Sequence, residues 1–155
     1  MSDKTKLVWL GDAVASTGFA RSTHKILEAF TDDFEIKVIG MNYWGDPHRY
    51  PYDIYPCLPG TDPFGLDRLQ LLSTQWKPDA VVVQQDHWNI PSHLERVPST
   101  IPTIGIIPVD GKNVGHATDL NMLADAIFWC DFGQEEAKRC GYAGESTVIP
   151  LSVGS

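Results

Sequence analysis

Cysteine is scarce in this sequence, and Cys57, Cys130 and Cys140 form an odd set with no C-x-x-C spacing. Neither a disulfide framework nor a zinc site is indicated by such a set, and a reducing, cytoplasmic setting fits it best. Positive charge is also in short supply, with 12 Lys and Arg against 20 Asp and Glu and a formal charge of −8. A nucleic-acid or anionic-membrane surface needs a basic patch, so neither is expected of this chain alone. Long apolar runs are missing as well. The polar residues 1–6 lead into a short apolar stretch that Gly11 and Asp12 interrupt, too short for a signal-peptide core or a membrane span. The G-x-G-x-x-G fingerprint, the G-x-x-x-x-G-K-[ST] phosphate loop and the G-x-S-x-G hydrolase elbow are all lacking.

What is present is an alternation of short apolar runs with amphipathic segments, in a chain of 155 residues that is 43% hydrophobic and 10% aromatic. That size and composition suit one domain with a sizeable core. Residues 6–30 set the pattern. An apolar run at 6–10 reads as a strand, residues 11–18 as a loop of small residues, and Phe19, Thr23, Ile26, Leu27 and Phe30 mark one face of a helix. A strand feeding a glycine turn that opens a helix aims free N–H groups at whatever lies above the sheet edge, and anions bind well there. The bland alternative is that Gly11 and Gly18 merely permit a tight turn. Arg21 in the first helical turn opposes the helix dipole, so it calls for a partner, either Asp12 or a bound anion.

Further along, residues 35–40 read as a second strand that completes a β-α-β unit. Residues 41–63 break into prolines and aromatics, an excursion whose rings either pack over the sheet edge or bind a sugar. Asp62 and Pro63 read as a helix start, with Leu66, Leu69, Leu72 and Trp76 on one face. Strands are expected at 80–84, 101–108, 126–130 and 147–150, and short helices at about 90–95, 118–124 and 131–140. Asp131 and Gln134 have capping-box spacing, and Gly141 is placed to end the last helix. Six strands alternating with helices give an α/β fold, a doubly wound and mostly parallel sheet in a single domain.

In such a sheet ligands bind beyond the carboxyl ends of the strands, near a topological switch point. The loops expected there carry Asp12, Gly18, Arg21, Gln85, Asp86, His87, Trp88, Asp110, Lys112 and Asn113. His87 is either a surface histidine or a hydrogen-bonding partner or proton acceptor beside a reacting hydroxyl. Asp86 and Asp110 are either turn caps or ligand-binding carboxylates. His24, His48, His93 and His116 show no metal-ligand spacing.

Taken in order, Gly18-Phe19-Ala20-Arg21, Ile39-Gly40, Tyr43-Trp44-Gly45, Pro78-Asp79-Ala80-Val81-Val82, Asp86-His87-Trp88, Ile107-Pro108-Val109-Asp110-Gly111, Ala124-Asp125, Phe132-Gly133, Gly141 and Val148-Ile149-Pro150 form a series. Across the whole chain this series resembles the Rossmann-like N-terminal domain of GT-B fold, retaining glycosyltransferases of the group-1 superfamily. The resemblance implies an acceptor-side domain spanning 1–155, with a sugar or glycoside acceptor, a nucleotide-sugar donor as co-substrate, no other cofactor and no obligatory metal. A C-terminal donor-binding domain, in the same or another chain, would complete the cleft. Residues Thr17 and Gly18 would face the donor diphosphate, with Arg21, Asp86 and Trp88 binding substrate and His87 and Asp110 in the catalytic roles. The sequence departs from the family after Pro150, where Leu151-Ser152-Val153 stands in place of the usual His or Asn, Gly, Val, Asp. With the donor half missing, the chain alone is expected to be a poor catalyst. The alternative is a free-standing module that binds a nucleotide or sugar phosphate without catalysis.

Overall fold

The computed structural model describes residues 4–12, 27–28, 33–41, 52–57, 62, 64–109, 114 and 117–149. Strand β1 (Thr5–Asp12) lies parallel to β2 (Phe34–Met41), paired from Thr5 with Phe34 to Asp12 with Met41. Its other edge pairs, again in parallel, with β4 (Ala80–Gln84), from Leu7 with Ala80 to Leu10 with Val83. With β3 (Asp53–Pro56), β5 (Thr103–Ile107), β6 (Asp125–Phe128) and β7 (Ser146–Val148), the sheet has seven parallel strands in the order β3-β2-β1-β4-β5-β6-β7. The chain thus works outward from β1 to β3, then returns to the far side of β1 and works outward again. That reversal puts the topological switch between β1 and β4 and makes the fold doubly wound and Rossmann-like.

The central strands are apolar on both faces because both faces are covered. On one face Val8, Leu10, Val81, Val83 and Ile107 pack with Leu69 of α1 (Leu66–Gln75), Ile90 and Leu94 of α2 (Ile90–Leu94), Leu120 of a 3-10 turn (Asp119–Met122) and Ala137 of α3 (Asp131–Arg139). On the other, Leu7, Trp9, Val38, Val82 and Ile106 pack with Leu27, which with Glu28 is helical. Each fully buried side chain of this kind contributes about 1.5–3 kcal/mol. No helix among the described residues is long and apolar enough to cross a membrane.

Three local expectations are corrected. Six strands were expected and seven form, because Asp53-Ile54-Tyr55-Pro56, inside the proline-rich excursion, pairs with β2. Its alternation explains it: Ile54 enters the core, while Tyr55 turns to the opposite face and meets Lys37, whose Nζ donates to the Tyr55 hydroxyl at 3.0 Å and lies 3.7 Å from Asp53. That accepting hydroxyl holds the Lys37 ammonium above its ordinary value of 10.5. Tyr52 is 5% exposed, so neither described tyrosine of this stretch stands as a bare platform for a sugar; Tyr43, Trp44 and Tyr50 lie outside the described residues.

The helix expected to start at Asp62 begins instead at Leu66, after Gly65 in a left-handed conformation at φ 71°. Asp62 nonetheless caps it from a distance, its two oxygens accepting from the Asp67 and Arg68 N–H groups at 3.2 and 3.1 Å. The capping box at Asp131 does not form: Cys130 is the N-cap residue, and the Gln134 amide donates to the Ser146 hydroxyl of β7 at 2.9 Å. A strand partner outcompetes the local one. At its other end α3 closes as expected, with Gly141 at φ 118° and its N–H on the Lys138 carbonyl, and Tyr142 N–H on the Ala137 carbonyl.

Gly65 is where backbone conformation and packing coincide. A Cβ there would lie 2.8 Å from Ile39 Cγ2 and 2.9 Å from Cys57 Sγ. Gly65→Ala should therefore destabilise the protein by about 2–4 kcal/mol, combining overpacking with left-handed strain. Urea unfolding checks this as a lowered midpoint at unchanged slope. Burial, and after it the Asp62 charge, pushes the Cys57 thiol up to about 12, whereas Cys130 is exposed. Alkylation followed by mass spectrometry should label Cys130 in the native protein and Cys57 only after unfolding.

Candidate functional site

The carboxyl ends of β1 and β4 meet at the switch point, and the residues there turn from large and apolar to small or polar. Gly11 of β1 pairs with Gly40 of β2, leaving two adjacent positions without side chains. On the other side Gln84 ends the valine run of β4, 2% exposed, and a Cβ on Gly11 would lie 3.1 Å from its Oε1. A side chain on Gly11 would therefore require the buried Gln84 amide to give way by a few tenths of an ångström. A Cβ on Gly11 would also lie 3.5 Å from the indole Nε1 of Trp9, a buried polar atom with no hydrogen-bond partner among the described residues.

Residues 85–89 connect β4 to α2 in a turn braced from inside. Gln85 is 5% exposed, and its Oε1 accepts from the Asp86 N–H and from Asn89 Nδ2, both at 3.1 Å. The Asn89 N–H reaches the Asp86 carbonyl at 3.0 Å, and the Gln85 N–H extends the ladder to the Ile106 carbonyl at 3.3 Å. With its ends fixed in this way, the loop turns its middle outward. Trp88 is 56% exposed, and the His87 ring meets it edge to face with centroids 4.9 Å apart. An exposed indole thus stands against an imidazole, on the same loop as Asp86.

Of the residues expected to form a site, Asp86, His87 and Trp88 are thus brought together on one loop at the switch point. Thr17, Gly18, Arg21 and Asp110, and with them Lys112 and Asn113, lie outside the described residues. Asp110 follows Val109, which is buried where Gly133 of α3 leaves room for it; a Cβ on Gly133 would stand 3.1 Å from that of Val109. Among the described residues no three His, Cys, Asp or Glu side chains gather as a metal site requires.

The sequence places Gln85 on the site loop but not as its brace, and nothing in it marks Asn89 as the partner. His93 carries no metal-ligand spacing to draw attention to it. The signal was there in the pair Gln84-Gln85, because two amides ending a strand buried on both faces must find partners inside. His93, one turn into α2, is fully buried with its two ring nitrogens on backbone carbonyls.

Removing the brace should loosen the loop without touching its outward face. Gln85→Ala leaves the Asp86 N–H and the Asn89 amide without their acceptor, and is expected to cost about 1–3 kcal/mol. Chemical denaturation reads the loss, and faster hydrogen exchange at the Asp86 amide locates it. In sequence comparisons no protein-family model and no curated protein matches this chain.

Proposed function

We propose that this chain is the acceptor-side domain of a cytoplasmic, nucleotide-sugar-dependent retaining glycosyltransferase of GT-B architecture. One observation carries the reading: at the switch point of a doubly wound sheet, a loop braced by Gln85 carries Asp86, His87 and an exposed Trp88 in succession, the two rings in edge-to-face contact. A sugar ring is recognised by that combination, its hydroxyls by Asp86 and His87 and its apolar C–H face by Trp88. His87 hydrogen-bonds, or takes the proton from, the acceptor hydroxyl that attacks the donor sugar. Asp110, three residues after the last residue of β5 in sequence, acts with it. Thr17, Gly18 and Arg21, which come after β1 in the sequence, supply N–H groups and a cation to the departing nucleoside diphosphate, where negative charge develops. The donor nucleotide is gripped mainly by a second domain.

The test has two parts. Glycosides titrated into the chain should quench or shift tryptophan fluorescence saturably, and Trp88→Ala should weaken that binding about tenfold. The same substitution, at an exposed position, should change folding stability by no more than about 0.5 kcal/mol. The gene product should transfer sugar from a nucleotide-sugar to an acceptor with retained configuration. A product that binds no glycoside and turns over no nucleotide-sugar overturns the proposal. Tight nucleotide binding without transfer would instead identify a non-catalytic module.

A further inference from the structure

Both ring nitrogens of His93 face backbone carbonyl oxygens. Nδ1 lies 2.9 Å from the Asn89 carbonyl and Nε2 lies 2.9 Å from the Phe64 carbonyl. A carbonyl oxygen only accepts, and a neutral imidazole has a single N–H to give. In the neutral ring one of the two contacts therefore sets a nitrogen lone pair against an oxygen lone pair. Only the imidazolium donates to both. The ring is 0% exposed, so the contact left unmade is not relieved at the protein surface.

The two carbonyls belong to segments with different tasks. Asn89 closes the site loop and precedes α2, and its side chain is held by Gln85. Phe64 stands just before Gly65 and the start of α1. The carboxylate that faces the ring is Asp62, whose oxygens already accept from the Asp67 and Arg68 amides. From α1, Asp67 is paired at 2.7 Å with Arg96, which follows α2. Burial drives the His93 pKa below its usual 6.5, against the two carbonyls and Asp62, which raise it. The neutral ring is accordingly the main form at neutral pH.

We propose that His93 is a proton-operated latch between the site loop and the segment leading into α1: the one proton of the neutral ring holds either Asn89 or Phe64, and a second proton holds both. The loop that carries Asp86, His87 and Trp88 is then free to exchange between two attachments near neutral pH and is fixed to the α1 segment in mild acid. The sign for the whole fold is opposite. A folded pKa below the unfolded value means that the stability carried by the neutral ring is complete above about pH 6.5 and is lost as pH falls through the folded value. The doubly held form is the tighter locally and the costlier globally.

Side-chain nitrogen NMR of the full chain between pH 8 and pH 5 tests this without any substrate. Both ring nitrogens of His93 should resonate at pH 8 between the protonated and bare positions, as exchanging tautomers do, and move together to the doubly protonated position with a midpoint below 6.5. A single fixed tautomer across the range, or a ring already doubly protonated at pH 8, overturns the proposal. His93→Gln, which has no proton to gain, should abolish the pH dependence of hydrogen-exchange protection at residues 85–89. Should that variant not fold, the nitrogen titration of the natural chain decides alone.

Discussion

The structure depends on β1 being held along both edges and covered on both faces. Its backbone pairs with β2 on one side and β4 on the other, and Leu7, Val8, Trp9 and Leu10 are all buried. No backbone group of a strand so enclosed can turn to water, so its ladder must be completed by protein. The other strands extend the sheet outward from these two, β3 on the free edge of β2, and β5, β6 and β7 in turn beyond β4. The switch point is also a product of this arrangement: the two halves of the sheet leave β1 in opposite directions and open a crevice above its carboxyl end.

At that end the chemistry changes over a single residue step. Val81, Val82 and Val83 satisfy a dry interior, and Gln84 and Gln85 then bring amide groups to the same depth. A buried amide stabilises only when its donors and acceptors are met. Gln85 meets this condition by organising the loop that follows it, with one oxygen accepting from Asp86 and Asn89. The polarity of the site therefore comes out of the core rather than being laid on its surface. Asp86, His87 and Trp88 inherit their positions from a residue that is itself nearly inaccessible.

The valine run of β4, the apolar stretch of β1 and the glycine that ends α3 could be read directly, because each expresses a short-range rule: burial on both faces, or a left-handed helix terminus. The loop at 85–89 could be placed for the same reason, as the segment after a buried strand. What could not be read depends on partners distant in sequence. Strand β3 has only four residues, and its place comes from pairing with β2, where Ile54 joins the core and Tyr55 meets Lys37. Gln134 looks like a capping residue until Ser146, 12 positions on, offers its hydroxyl. His93 looked idle because its role concerns Phe64, 29 positions earlier.

The central pairing of β1 with β4 also bears on how the chain comes together in time. The Lys6 amide donates to the Asp79 carboxylate across a separation of 73 positions, and the ladder that follows joins β1 to residues made just as late. During synthesis β1 and β2 emerge before β4 and can pair, but the second edge of β1 stays open until residues 80–84 have been made. Contacts of such long range slow folding, since a large loop must close before they form. For that interval a strand whose Leu7, Val8, Trp9 and Leu10 all end up buried presents an unpaired edge, the kind of surface that chaperones exist to shield.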